Sequence, residues 1–185
     1  MSTGLRSICV TGPESTGKTT LAGRLAELAN TDWVPEASRI YAERKGAELL
    51  ESDVEPIARE HISLFDSASV RERVAGAKLI VLDTDLLSTV IYSRHYYGHV
   101  PAWIERAERA RRADLYLLCD IDVPWVADGI RDRPAKREEM FGLFHEALLR
   151  RRTPFVRVRG DWEERWLIAR EAIAPFIAAR QSPDP

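Results

Sequence analysis

A single asparagine, Asn30, and a single glutamine, Gln181, occur in 185 residues. That scarcity excludes a GTP-driven switch: no Asn-Lys-x-Asp segment exists to read guanine, and no Ras-like glutamine is available to orient an attacking water. Cysteine is also scarce. Cys9 and Cys119 each fall inside an apolar strand-like run, where a thiol behaves as a small buried hydrophobe, so both are expected reduced in the core. The four histidines form no metal set: His95 and His99 have a zinc-like spacing, but Gly98 and Pro101 end that helix and no third ligand is evident. An excess of one charge is lacking too. Lys and Arg number 27 against 29 Asp and Glu, a net charge of −2, which gives no general electrostatic grip on nucleic acid or an anionic membrane. No apolar run approaches the roughly 18 residues of a membrane span, and no basic-then-apolar signal precedes the first strand, so the expected compartment is the cytoplasm. The expected partner is a small molecule. Neither a repeat nor a linker is visible, and self-association is left open.

What is present is Gly12-Pro13-Glu14-Ser15-Thr16-Gly17-Lys18-Thr19, which fits G-x-x-x-x-G-K-[ST]. Its context supports it. Ser7-Ile8-Cys9-Val10-Thr11 reads as a buried strand, and Leu21, Leu25 and Leu28 recur at helical spacing, so the loop leads into a helix N-terminus whose N–H groups point at an anion. Gly12 and Gly17 allow close approach of phosphates, and Lys18, read as solvent-facing, reaches the β- and γ-phosphates. The expected ATP-binding set is Gly12, Glu14, Ser15, Thr16, Gly17, Lys18, Thr19 and Thr20, with the Thr19 hydroxyl on Mg²⁺.

Strand-like and amphipathic runs alternate, which predicts an α/β fold of three layers: a mainly parallel five-stranded sheet between helices, the P-loop NTPase arrangement. Trp33-Val34, Leu79 to Asp83, Leu115 to Asp120 and Phe155 to Val158 are the further strands. A long helix is expected from Pro56 towards Ala77, and a final helix buries Trp162, Trp166, Ala169, Ile173 and Phe176 along one stripe. Residues 1–180 are read as one kinase-like domain and 181–185 as a polar tail.

Asp83 closes a Walker-B-like strand, which puts its carboxylate at the sheet edge beside the loop, where it joins Thr19 as a metal residue. Asp85 has two readings, acceptor chemistry or the N-cap of a helix starting at Leu86. Glu36, after the second strand, is the rival general base; its other reading is a first-turn acid favoured by the helix dipole. Arg39 binds an anion or pairs within its helix. Residues 124–137 carry Arg131, Arg133 and Arg137 in a Gly- and Pro-bearing segment and read as a lid that neutralises a transferring phosphoryl group. Arg131 is the catalytic candidate there and Arg133 a nucleotide contact, while Gly160-Asp161-Trp162 is the expected adenine region. The arginines at 109–112 and 150–152 read as solvated or dipole-complementing. Tyr92, Tyr96 and Tyr97 either stack on a flat ligand or pack in the core.

Gly12 to Thr20, Asp83-Thr84-Asp85 and Pro124-Trp125-Val126-Ala127-Asp128-Gly129-Ile130-Arg131 together resemble the ribosylnicotinamide kinase domain of the NadR family, across nearly the whole chain. The resemblance implies an ATP- and Mg²⁺-dependent nucleoside kinase acting on the ribose 5′-hydroxyl of nicotinamide riboside. Two positions depart from it: Pro35 stands where the family has a tryptophan before the acid matched by Glu36, and Leu64 where a tyrosine is expected. Trp33, Phe65 or the tyrosine cluster would then have to cover the ring. The competing readings are a kinase for another nucleoside and a non-catalytic nucleotide-binding regulator.

Overall fold

The computed structural model describes residues 4–124 and 136–178. Five strands, β1 (Arg6–Thr11), β2 (Trp33–Val34), β3 (Leu79–Asp83), β4 (Leu115–Cys119) and β5 (Phe155–Val158), form a parallel sheet in the order β2-β3-β1-β4-β5. Parallel pairing needs a crossover helix after each strand, so both faces of the sheet become covered and the strands read as unbroken apolar runs.

The period-2 alternation of each strand sorts its side chains into two layers. On one face Ile8, Val10, Val81 and Leu117 meet Leu21 and Leu25 of α1 (Lys18–Ala29) and Ala169 and Ile173 of α7 (Trp162–Ala178). On the other, Cys9, Ile80, Leu82 and Leu118 meet Ala68 of α3 (Val54–Val74), Leu87 and Ile91 of α4 (Leu86–Tyr97), and Phe144 and Leu148 of α6 (Arg137–Arg150). Cys9 and Cys119 consequently face opposite layers as buried free thiols. A smaller outer cluster joins α3 and α4 to α5 (Ala102–Ala110) through Val54, Ala58, Leu86, Val90 and Ile104. Helix α2 (Ala37–Lys45) and a 3₁₀ turn (Glu51–Asp53) precede α3.

The long helix starts two residues before Pro56, which takes a first-turn position where its missing N–H costs nothing. Trp162 departs from the expected stripe. Ala169 and Ile173 are fully buried and Trp166 and Phe176 pack on them, but Trp162 is 46% exposed, because its ring lies against Gly17 of the glycine loop instead of in the core layer. The tail at 181–185 and the lid positions Arg131 and Arg133 lie outside the described residues. Among the described residues no helix is long and apolar enough to cross a membrane.

Candidate active site

Parallel strands bring their carboxyl ends to one edge, and there β1 runs into the glycine loop. Gly12 adopts φ +132°, and a Cβ on it would come within 2.8 Å of the Cys119 carbonyl oxygen, so glycine alone lets the loop leave β1 alongside β4. Gly17, the N-cap of α1 at φ +76°, lies under the Trp162 ring, which a Cβ would meet at 2.2 Å. Ser15 is also left-handed, at φ +53°. Strained backbone at a turn of this kind persists where the surroundings over-determine it. The Thr16 hydroxyl and the Lys18 ammonium both donate to the Pro13 carbonyl, at 2.8 and 2.7 Å. Lys18 is therefore not solvent-facing as expected but 8% exposed, folded back inside the loop, since an ammonium out of water requires an acceptor. Thr20 is exposed and lines neither cavity described below.

Asp83 ends β3 beside Val10 of β1. Its Oδ2 accepts the Thr19 hydroxyl at 2.6 Å, whereas its Oδ1 is buried with no hydrogen-bond partner among the described residues. Burial, reinforced by the nearby Glu36 charge, pushes this carboxyl up to about 6 against the opposing pull of Thr19, Lys18 and Arg39. Thr84 then turns through φ +65°, its N–H donating to the Val10 carbonyl at 2.9 Å, and this bend aims Asp85 at α4. Asp85 takes the capping geometry. One oxygen accepts the Leu87 N–H at 3.0 Å and the other the buried Tyr116 hydroxyl, and burial pushes the carboxyl up to about 6. Glu36, 6% exposed at the N-cap position of α2, accepts the Ser38 hydroxyl at 2.6 Å.

Two cavities open from this edge. One of about 460 Å³ lies over the glycine loop and is closed by Arg39, Val123 and Trp162. The other, of about 360 Å³, lies among α2, α3 and α4, with Tyr92, Tyr96, Tyr97, His61 and Asp85 in its wall. Glu14, Lys18 and Glu36 line both, so the chambers meet at a cation and two carboxylates. Tyr92 and Tyr96 stack at 6.0 Å between ring centroids. Trp33 and Phe65 do not reach the second cavity; they pack against the two core layers. Burial pulls His61 down to about 4, so it faces the cavity as a neutral imidazole at physiological pH. Its placement was readable only through helical spacing, since Val54, Ile57 and His61 share one face of α3 and all three line the cavity.

Arginines fix the loop from behind. Arg137 donates to the Val123 carbonyl at 3.2 Å and the Ser15 carbonyl at 3.3 Å, so this lid arginine reaches the loop. Arg165, which sequence reasoning passed over, is 1% exposed and reaches three segments: the carbonyls of Thr16 at 3.1 Å, Gly160 at 2.9 Å and Asp120 at 2.8 Å, together with the Asp122 carboxylate. A signal existed. Positions 162, 165, 166 and 169 follow the helical stripe, and an arginine on that stripe announces a buried guanidinium with obligatory partners.

The donor set at Thr19 and Asp83 suits a hard cation. An orphaned buried carboxylate oxygen beside a hydroxyl asks for a positive partner, and among the described residues no cluster of three His, Cys, Asp or Glu could cage a metal without help. A cation held by one carboxylate, water and phosphate oxygens is the Mg²⁺ pattern.

The family described as AAA domain matches residues 7–165. The trifunctional NAD biosynthesis/regulator protein NadR of Escherichia coli (strain K12) is 31% identical over 184 residues, covering 96% of this chain and 44% of that protein. The chain thus spans less than half the length of the curated relatives it matches. A solved NadR protein in complex with NR has a TM-score of 0.74 at 23% identity, covering 94% of this chain and 52% of that one. Another, in complex with NAD and AMP-PNP, has a TM-score of 0.77 at 22% identity, covering 98% and 52%. At these identities the solved structures speak to the fold alone, which is the P-loop kinase fold expected from the sequence.

Proposed function

The chain belongs to the AAA domain family, and from that footing we propose that it is an ATP- and Mg²⁺-dependent kinase that phosphorylates the ribose 5′-hydroxyl of nicotinamide riboside, giving nicotinamide mononucleotide. The observation that carries the reading is the pair of chambers meeting at Lys18 and Glu36. A phosphate cradle and a separate tyrosine-walled cavity joined at a cation and two carboxylates fit transfer between two substrates better than hydrolysis by one. The names of the E. coli relative and of the NR-bound structure agree with it.

In this reading the loop N–H groups hold the ATP phosphates, and Lys18 exchanges the Pro13 carbonyl for a phosphate oxygen. Thr19 and Asp83 would hold Mg²⁺, which neutralises phosphate charge and aligns the reacting group. Glu36 accepts the proton of the acceptor hydroxyl, its position fixed by the α2 N-terminus and Ser38. Asp85, with both oxygens engaged, positions the acceptor instead of taking its proton. Arg137 steadies the loop, and Arg131 and Arg133 supply charge as the phosphoryl group moves. Trp162 forms the adenine side of the cradle. With Pro35 in place of an aromatic, ring recognition falls to Tyr92, Tyr96 and Tyr97, where cation–π attraction of roughly 0.5–2 kcal/mol gives only modest preference over other nucleosides.

The test is kcat/KM with ATP and Mg²⁺ for nicotinamide riboside, uridine and cytidine, with the product identified by mass. Phosphorylation of nicotinamide riboside, several-fold preferred, is expected. Efficient use of another nucleoside with none of nicotinamide riboside would remove the acceptor assignment, and no acceptor-dependent ADP formation at all would remove the kinase.

A further inference from the structure

The wall of the tyrosine-lined cavity that faces solvent is not a helix or a strand. It is the irregular segment 46–50 between α2 and the 3₁₀ turn, and Glu48, Leu49 and Leu50 of this segment line the cavity. Irregular backbone holds a position only if something fixes it. Here each lining residue is fixed by a side chain from a different element. The Glu48 carbonyl accepts the Lys45 ammonium of α2 at 2.9 Å, the Leu49 carbonyl accepts the Tyr97 hydroxyl of α4 at 3.3 Å, and the Leu50 N–H donates to Asp53 at 2.7 Å. Asp53 is the hub. Only 6% exposed, it also accepts Lys45 at 2.5 Å and the Tyr41 hydroxyl at 3.1 Å. Neither Lys45 nor Asp53 lines the cavity.

The segment also carries charge into the wall. Glu48 and Glu51 line the cavity on this side and Glu14, Glu36 and Asp85 elsewhere, against the single ammonium of Lys18, while His61 is held neutral by burial and adds no positive charge. Such a chamber favours a cationic ring, and it does so in proportion to how firmly the acidic segment is held.

We propose that residues 47–50 form a strap that determines which acceptor the cavity takes, and that Asp53 and Lys45 are positioning residues that set the strap from outside the cavity. The proposal rests on the reading of this cavity as the acceptor site. A clasp of this kind acts through pre-organisation, so its loss weakens the ligand that the strap touches and leaves the ligand on the glycine loop alone.

The experiment measures KM for ATP and for nicotinamide riboside separately in the full chain and in Lys45→Met, Asp53→Asn and Tyr97→Phe, with thermal melts to verify folding. Acceptor KM should rise about tenfold or more in Lys45→Met and Asp53→Asn, by less in Tyr97→Phe, with ATP KM within about twofold of wild type and a smaller preference for nicotinamide riboside over uridine. Lys45→Arg, which keeps a cation on Asp53, should recover most of the loss. A general weakening of the fold would instead raise both KM values together. That outcome, or an unchanged acceptor KM in all the variants, overturns the strap while leaving the kinase standing. A wild-type chain that uses no nucleoside overturns both.

Discussion

The Thr19 hydroxyl donates to Asp83 Oδ2 at 2.6 Å, joining the first turn of α1 to the end of β3 and leaving the second oxygen of Asp83 buried without a partner among the described residues. The carboxylate is thus held for something not supplied by the described residues, at a cost to the fold. Burial has raised its pKa from 3.8 to about 6, so the folded state holds its proton more tightly than the unfolded chain. The associated stability is fully present below about pH 3.8 and is lost as pH rises through about 6, a loss of up to about 3 kcal/mol. Asp83→Asn stays neutral throughout. In the absence of nucleotide and Mg²⁺ its melting temperature should exceed that of wild type at pH 7.5, with the gap closing below pH 4, while its turnover is lost. Parallel melting curves across that range would contradict the account.

Lys18→Met should lower kcat by about 10²-fold or more, because the ammonium is the fixed cation shared by both chambers. Folding should survive, since the Pro13 carbonyl keeps the Thr16 hydroxyl as a donor. Circular dichroism and a melt check the second point, and steady-state rates the first.

Glu36 and Asp85 should separate cleanly in kinetics. Glu36→Gln removes the proton acceptor and should lose about 10²-fold in kcat with ATP binding retained. Asp85→Asn preserves an N-cap and should mainly raise the acceptor KM, whereas Asp85→Ala also removes the cap and should destabilise the protein by about 1–2 kcal/mol. A larger kcat loss in Asp85→Asn than in Glu36→Gln would reverse the assignment of roles.

Arg165→Leu should be disruptive, costing about 1–3 kcal/mol or more by leaving the carbonyls of Thr16, Gly160 and Asp120 without the guanidinium donor, while Asp122, 37% exposed, is rehydrated. Arg165→Lys should rescue little, because an ammonium cannot span the forked geometry. Urea unfolding gives the first quantity, and ATP affinity of the surviving fraction reports the loosened loop.

Arg131→Ala and Arg133→Ala should reduce kcat more than ATP affinity, the mark of charge needed as the phosphoryl group moves. Arg137→Ala should reduce both, because its guanidinium holds the Ser15 carbonyl of the resting loop. Comparing ATP Kd with kcat in the three variants distinguishes them.

The sheet was legible because its inner strands are fully buried: Leu79 to Asp83 reads as an apolar run and folds with those bounds, and the edge strand Phe155 to Val158, only partly buried, keeps enough apolar residues to be read as well. The glycine loop was legible because its residue types are tied to its geometry. What escaped was partnership at a distance. Nothing local marks Asp53 as a hub, and Arg151, read as a solvated or dipole-complementing arginine, is 17% exposed and lies 2.8 Å from the buried carboxylate of Glu108. The position of Trp162 was missed for a related reason: helical spacing assigns a face but cannot tell that the ring lies against Gly17 of the glycine loop.

Arg165 has a consequence for how this protein is made. The guanidinium that secures the Thr16 carbonyl of the glycine loop belongs to α7, 149 residues further along the chain. During vectorial synthesis that carbonyl gains its partner only once α7 has emerged. Cutting the protein within α7 before Arg165 should therefore weaken nucleotide binding at a loop some 150 residues away from the cut.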